Sequence, residues 1–418
     1  MEIVKSFGKY TIKQIFFDHW EEYLKKNLMW LSPHIVDEVE RMLACRDPLK
    51  SGYHMYACPE HPLEKVYVPH SCKSRFCNVC GVNQTNKWMN EATSYFPNCG
   101  YFHLVFTIPD TLWYFFNVES KKPLLDVLFK SANETVLGWF RENRKVIPGS
   151  IAVLHTFGKK LNYNTHIHMI ISAGGLKQKN GNEDENKYVW KDIKSLPWKT
   201  FNVRWKANVL NRLNKYIENY TFYADITKKR WYSYSSKIFD NPEFTCNYIG
   251  RYSKRPPMAE TRITYYDGDF VTFYYDERND NYGKSKERKY IRLPWEEFIT
   301  LLIQHIMPKQ FKMVRHYGLF SNRLKSELLP TVFNLLDQKT KKPREFPSWR
   351  DRQTAYLGTD PLICKQCGKT MVLKAKAFWS SEFNQLFVKH INTKLSDTKK
   401  PRGYCAQLAF FEKFFNFF

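Results

Sequence analysis

Two short patterns in this chain carry residue types that can bind a cation or act as nucleophiles. In Thr165-His166-Ile167-His168-Met169-Ile170, the two-residue period of a strand puts His166 and His168 on one face and Ile167 and Met169 on the other. Two imidazoles about 7 Å apart along a strand can converge on one divalent ion. A third ligand is at hand in His155 (Leu154-His155-Thr156), and His103 in the Tyr101–Ile108 stretch competes with it. The second pattern is Asn247-Tyr248-Ile249-Gly250-Arg251-Tyr252-Ser253-Lys254-Arg255. In a helix running from about Glu243 to the Pro256-Pro257 stop, Tyr248 and Tyr252 share a face.

Such a tyrosine pair either packs on a core or uses its hydroxyls. A phenol has a pKa near 10, so attack on a phosphodiester requires a favoured phenolate or a more electrophilic phosphorus. A divalent ion on two histidines and a third ligand, with open positions, polarises a non-bridging oxygen and meets the second condition. The products are a 5′-phosphotyrosine and a free 3′-hydroxyl, and the linkage conserves the bond energy for rejoining. Arg251, Lys254 and Arg255 stand ready to neutralise phosphates.

The cysteines point to a different chemistry. Cys58-Pro-Glu-His61 and Cys77-Asn-Val-Cys80 each leave a two-residue gap, the spacing at which one tight turn aims two side chains at a tetrahedral zinc. The expected structural Zn2+ site is therefore Cys58, His61, Cys77 and Cys80, with Cys72 and His70 in reserve. Cys364-Lys-Gln-Cys367 has the same look, and Cys405 with His390 can complete a second site; two unmetallated thiols remain the other reading.

Bulk properties name the partner class. The chain has 418 residues, a net charge of +24 and 17% aromatic residues. Cations interleaved with rings suit single-stranded nucleic acid, whose phosphates meet the charges and whose bases meet the rings. No run approaches the roughly 20 apolar residues of a membrane span, and the N-terminus lacks a secretory apolar run. A cytoplasmic, nucleoid-associated protein without a membrane partner is the expectation. Lys309, Lys312, Arg315, His316, Arg323 and Lys325 occur with no acid between 309 and 325, which predicts a phosphate-gripping segment with Tyr317 and Phe320 as stacking rings.

These residues need elements to hold them. Apolar spacing predicts helices over 9–45, 131–144, 203–220 and 295–306. Strands are predicted at 101–108, 150–157, 166–172, 262–277 and 290–293, the second and third forming a hairpin. Residues 174–187 read as a polar loop.

Taken together and in order, Cys45-Arg46-Asp47, Cys58…His61, Ser71-Cys72-Lys73-Ser74-Arg75-Phe76-Cys77-Asn78-Val79-Cys80, Tyr101–Pro109, Leu154–Gly158, His166-Ile167-His168, Tyr248-Ile249-Gly250-Arg251-Tyr252, Arg315–Leu319 and Asp360–Gly368 resemble one family. It is the rolling-circle insertion-sequence transposases of the HUH nuclease superfamily, the two-tyrosine kind with an N-terminal zinc-binding domain (the ninety-one type). The resemblance covers roughly residues 10–370. It implies that His166 and His168 bind Mg2+ or Mn2+, that Tyr248 and Tyr252 are nucleophiles, and that single-stranded DNA of element ends and target is the partner. His61 stands where the family has a cysteine. The fold expected is α+β: an antiparallel-sheet nuclease core with packed helices over 96–295, after a helical arm (1–50) and a zinc-binding segment (51–95), and before a basic C-terminal region (296–418). Relaxases and replication initiators share this core, but initiators bring a helicase, and no GxxxxGK[ST] phosphate cradle occurs here. A non-catalytic zinc-dependent DNA-binding regulator is the alternative from another class.

Overall fold

A computed structural model gives the fold. It describes residues 9–117, 122–179, 187–216, 231, 233–235, 245, 247, 250, 256–278, 286–340, 342–343, 345–380 and 385–391. Helices Ile12–Asn27 and Pro33–Leu43 come first, then strands β1 (Tyr53–Ala57) and β2 (Lys65–Pro69) and helix Asn78–Ala92. β3 (Tyr101–Thr107), helix Lys122–Asn133, β4 (Val146–Phe157), β5 (Tyr163–Gln178), β6 (Tyr188–Asp192), helix Trp198–Leu213 and β7 (Ser233–Ser235) follow. Next are β8 (Ile263–Tyr266), β9 (Phe270–Arg278), β10 (Lys286–Pro294), helix Trp295–Ile303, β11 (Val314–Gly318) and helix Lys325–Leu335. Helix Trp349–Leu357, β12 (Val372–Ser380) and β13 (Gln385–His390) end the described chain. The class is α+β, with antiparallel pairing in each described ladder.

Two compact units result. The first comprises residues 1–51 and 69–361, the second 52–68 and 362–418. Residues 51–95 and 296–418, each expected as one segment, therefore divide between units. The arm expected at 1–50 is no separate body either. Ile15, Phe16, Trp20 and Tyr23 of its first helix share a core with Val271, Phe273, Phe298 and Leu302. Burying each such side chain is worth roughly 1.5–3 kcal/mol, so the arm is tied to the β8–β10 sheet.

The central sheet of the first unit has strand order β11-β4-β5-β3-β7, with β6 also paired to β5. Alternation along β3, β4 and β5 divides their side chains cleanly. Phe102, Leu104, Phe106, Ala152, Leu154, Ile167 and Met169 face a core closed by Leu128 and Phe129 of helix Lys122–Asn133 and by Phe201 and Trp205 of helix Trp198–Leu213. Tyr101, Ile151, Val153 and Ile170 face the opposite core, covered by Trp88, Ala92 and Phe96 and by Leu328, Val332 and Phe333. By the same alternation the second face carries His103, His155, His166 and His168.

In the second unit the sheet order is β13-β12-β1-β2. β1 pairs with β12 from Tyr53↔Ala377 to Ala57↔Val372, so strands more than 300 residues apart in sequence are neighbours. Its buried cluster is small, consisting of Cys58, Cys364 and Met371 with Tyr56, Val66 and Cys367 packed around it.

A candidate three-histidine centre and two cysteine clusters

The histidine face is set by strand register. His155 on β4 lies directly opposite His166 on β5, and His168 lies opposite Val153 and Val105. One ligand nitrogen from each of His155, His166 and His168 falls within 4.8 Å of the others. The Nε2 atoms of His166 and His168 are 3.1 Å apart. Nδ1 of His166 lies 2.7 Å from the Asn164 carbonyl; a carbonyl only accepts, so this nitrogen carries the proton and leaves Nε2 with a free lone pair.

The two histidines weighed as a third ligand stand differently in the structure. His155 joins the cluster, whereas His103 Nε2 lies 2.9 Å from His168 Nδ1 with the two rings nearly coplanar. His103 thus sits behind His168 and steers its Nε2 toward the cluster, as outer-shell partners of ligand histidines do.

Burial holds His103, His166 and His168 in the neutral form. It pushes His103 down to about 4, helped by the nearby His166. It pushes His166 to about 4 as well, against the opposing pull of the Asn164 carbonyl. His168 is held well below its ordinary range by burial first and then by its three histidine neighbours. Unfolded histidines titrate near 6.5, so between pH 6.5 and 4 the unfolded chain binds more protons than the folded one. Stability of chelator-treated protein should therefore fall as pH drops through that window. Urea midpoints at pH 7.5 and 5 test this, and a loss no larger in wild type than in His166→Gln would refute it.

The cysteines assemble otherwise than expected. Cys58 and His61 do not join Cys77 and Cys80. Cys45, Cys72, Cys77 and Cys80 form one cluster with all Sγ atoms within 4.8 Å. Within it, Cys72 and Cys80 are 3.5 Å apart and Cys45 and Cys80 3.6 Å. The cause is the helix Asn78–Ala92, absent from the sequence reading: Cys77 caps it and Cys80 lies in its first turn, where the helix dipole favours thiolate. Thiol hydrogen bonds from Cys45, Cys72 and Cys77 accordingly hold Cys80 far below the usual thiol range. Backbone N–H groups of Cys72 and Ser74 donate to Cys45 and Cys72 sulfurs, both at 3.4 Å.

The second unit holds Cys58, His61, Cys364 and Cys367 within the same 4.8 Å limit. His61 Nδ1 is 3.8 Å from Cys58 Sγ and 3.7 Å from Cys364 Sγ, and Cys58 and Cys367 sulfurs are 3.5 Å apart. The Cys364–Gly368 turn closes through Gly368 N–H to the Cys364 carbonyl at 2.9 Å, with Gly368 at φ 71°. His390, expected here, ends β13 as an exposed residue; Cys405 lies outside the described residues. His70 faces the Ser51 carbonyl at 3.1 Å.

Residues 15–108 match a family described as "Transposase zinc-binding domain", and residues 149–327 match one described as "Putative transposase". The transposase for insertion sequence element IS801 of Pseudomonas savastanoi pv. phaseolicola is 30% identical over 362 residues, covering 81% of this chain and 83% of that protein. The chain belongs to the IS91/IS801 family of transposases. A second relative, "Putative transposase y4qJ" of Sinorhizobium fredii, is 24% identical over 358 residues, 80% of this chain and 87% of its own. No solved structure matches the chain.

As a transposase the protein acts on DNA, and its zinc-binding domain, with the four-cysteine cluster inside it, accounts for structural zinc. Four sulfurs at these separations suit tetrahedral Zn2+. Among the described residues no helix is long and apolar enough to cross a membrane. Several DNA-contact expectations change. The Arg315 guanidinium pairs with Asp126 and lies 4.1 Å above the Phe129 ring, so it clasps β11 to helix Lys122–Asn133 instead of gripping phosphate. Phe320 is fully buried and stacks on Phe96, centroids 5.0 Å apart, which removes it as a base platform. Lys312 and Arg323 remain exposed. Tyr248, Arg251, Tyr252, Lys254 and Arg255 lie outside the described residues. Between them Gly250 is helical and buried, and a Cβ built there would collide with the Met89 sulfur. Cys45, Asp126 and the positioning role of His103 escaped sequence reasoning; the signal for Cys45 was its place in Cys45-Arg46-Asp47.

Proposed function

We propose that this transposase cuts and rejoins single-stranded DNA at insertion-sequence ends by a rolling-circle route, with Tyr248 and Tyr252 as nucleophiles. It would do so in the cytoplasm, at the nucleoid. His155, His166 and His168 would hold a divalent ion. Three imidazole nitrogens, without a carboxylate in the cluster, fit Mn2+ better than the oxygen-seeking Mg2+. Bound there, the ion would polarise a non-bridging phosphate oxygen. The attacking phenol oxygen forms the bond to phosphorus, the 3′ oxygen leaves and takes a proton, and the phenol proton passes to solvent. The second tyrosine permits a further transfer while the first still holds DNA.

One observation carries this reading. Gly250, between the two tyrosines in sequence, rests on Met89 of the Asn78–Ala92 helix. Met89 belongs to the core that covers the histidine-bearing face of the sheet. Pro256 and Pro257, just after the segment, line a cavity with Phe157, whose ring is 4.6 Å from that of His155. Gly250 therefore packs on the layer that covers the histidine face, and Pro256 and Pro257 share a cavity with the end of the strand that carries His155.

The test uses purified full chain, single-stranded oligonucleotides from element ends, and Mn2+ or Mg2+. A denaturation-resistant protein–DNA adduct is expected, reduced in Tyr248→Phe and in Tyr252→Phe. Undiminished adduct in the double variant would discard both tyrosines, and retardation without adduct would favour a non-catalytic DNA-binding regulator. Zinc sites on the four cysteines and on Cys58, His61, Cys364 and Cys367 complete the proposal; their role is to fold the segments that carry them.

A further inference from the structure

The cavity of about 340 Å³ beside Phe157 is lined by Arg41, Lys73, Arg75 and Lys309, and by a single acid, Glu38. Glu38 is already engaged by Arg41 at 2.5 Å and by the Ser74 hydroxyl at 2.6 Å. Arg75 has no such partner: its Nε and Nη1 are shielded from solvent and make no hydrogen bond. An unpaired buried cation is costly and survives where something outside the chain completes it. Its backbone is also fixed. Arg75 lies between cluster members Cys72 and Cys77, Phe76 N–H donates to Ser74 Oγ at 3.0 Å, and the Phe76 ring packs edge-on against Phe16 at 5.5 Å.

We propose that Arg75 is a phosphate-binding residue that receives a phosphodiester of the single-stranded DNA substrate in this cavity, next to the histidine centre. The guanidinium brings a full positive charge to the cavity, and a phosphate oxygen would give it the anionic partner it lacks within the chain. The four-cysteine cluster then has a second consequence, since the turn it closes presents this arginine ready-placed. The proposal rests on the DNA-strand reading above but needs neither tyrosine, so the two can fail separately.

Binding of a fluorescein-labelled single-stranded oligonucleotide, followed by anisotropy without divalent ion across a salt series, tests it. Arg75→Gln should bind about tenfold more weakly, and the log K against log salt slope should shrink by about 0.7, one single-strand phosphate. Arg75→Lys should keep the slope but not the full affinity. The thermal midpoint of free Arg75→Gln should stay level or rise and its zinc content stay unchanged, because an uncompensated charge has been removed. Wild-type affinity and slope in Arg75→Gln would overturn the proposal. So would a lowered midpoint or lost zinc, which would mark a structural arginine, or an equal loss on duplex DNA, which would remove the single-strand assignment.

Discussion

His168→Ala should lower covalent adduct formation about a thousandfold, while His103→Ala should cost about ten- to a hundredfold. The contrast follows from position. His168 contributes a nitrogen to the three-histidine cluster, and an ion that stabilises transition-state charge supplies several kcal/mol; about 4 kcal/mol corresponds to a factor near a thousand. His103 instead meets the far nitrogen of His168, and loss of an outer-shell partner lowers metal affinity about 10–100-fold. Raising Mn2+ should therefore restore much of the His103→Ala rate and little of the His168→Ala rate. Equal defects, or equal rescue, would remove the distinction between ligand and positioning residue.

The second large effect concerns zinc. Cys77→Ser should lose one zinc per chain and destabilise the region around helix Asn78–Ala92 far beyond the about 1 kcal/mol of an ordinary substitution, since a structural zinc contributes on the order of 10 kcal/mol. Pairwise zinc counts decide the grouping. Cys58→Ser and Cys364→Ser share a cluster, so their double variant should lose one zinc, as each single does. Cys58→Ser with Cys77→Ser should lose two. The opposite result in elemental analysis of the full chain would reinstate the sequential grouping.

That grouping shows what could be read from the chain and what could not. The His166/His168 strand, its hairpin partner and the α+β class were legible because a two-residue period writes itself directly into sequence. β5 runs on through Gly174 to Gln178 and pairs with β6, where glycines and lysines suggested only a loop. Helix Asn78–Ala92 was hidden because Asn, Gln, Thr and Gly dilute its apolar face: its buried residues are Cys80, Gly81, Thr85, Trp88 and Ala92, of which Trp88 alone is large and apolar. The cysteine partners were hidden for another reason. Two-residue gaps identify half-sites but say nothing of which halves meet, and here the halves are some 300 residues apart. Arg315 misled likewise: a stretch without acids looked free for phosphate, while its carboxylate waited at Asp126 in a distant helix.

The interleaving of the second unit also bears on how the chain is made. Synthesis proceeds from the N-terminus, so β1 and β2 leave the ribosome long before β12, the strand that pairs with β1, exists. During that interval the nascent hairpin has an unsatisfied edge and half of a ligand set, the state in which strands recruit wrong partners. Pairings of such sequence separation form slowly, which makes the emergence of β12, and not that of the first half, the event that licenses this unit to close.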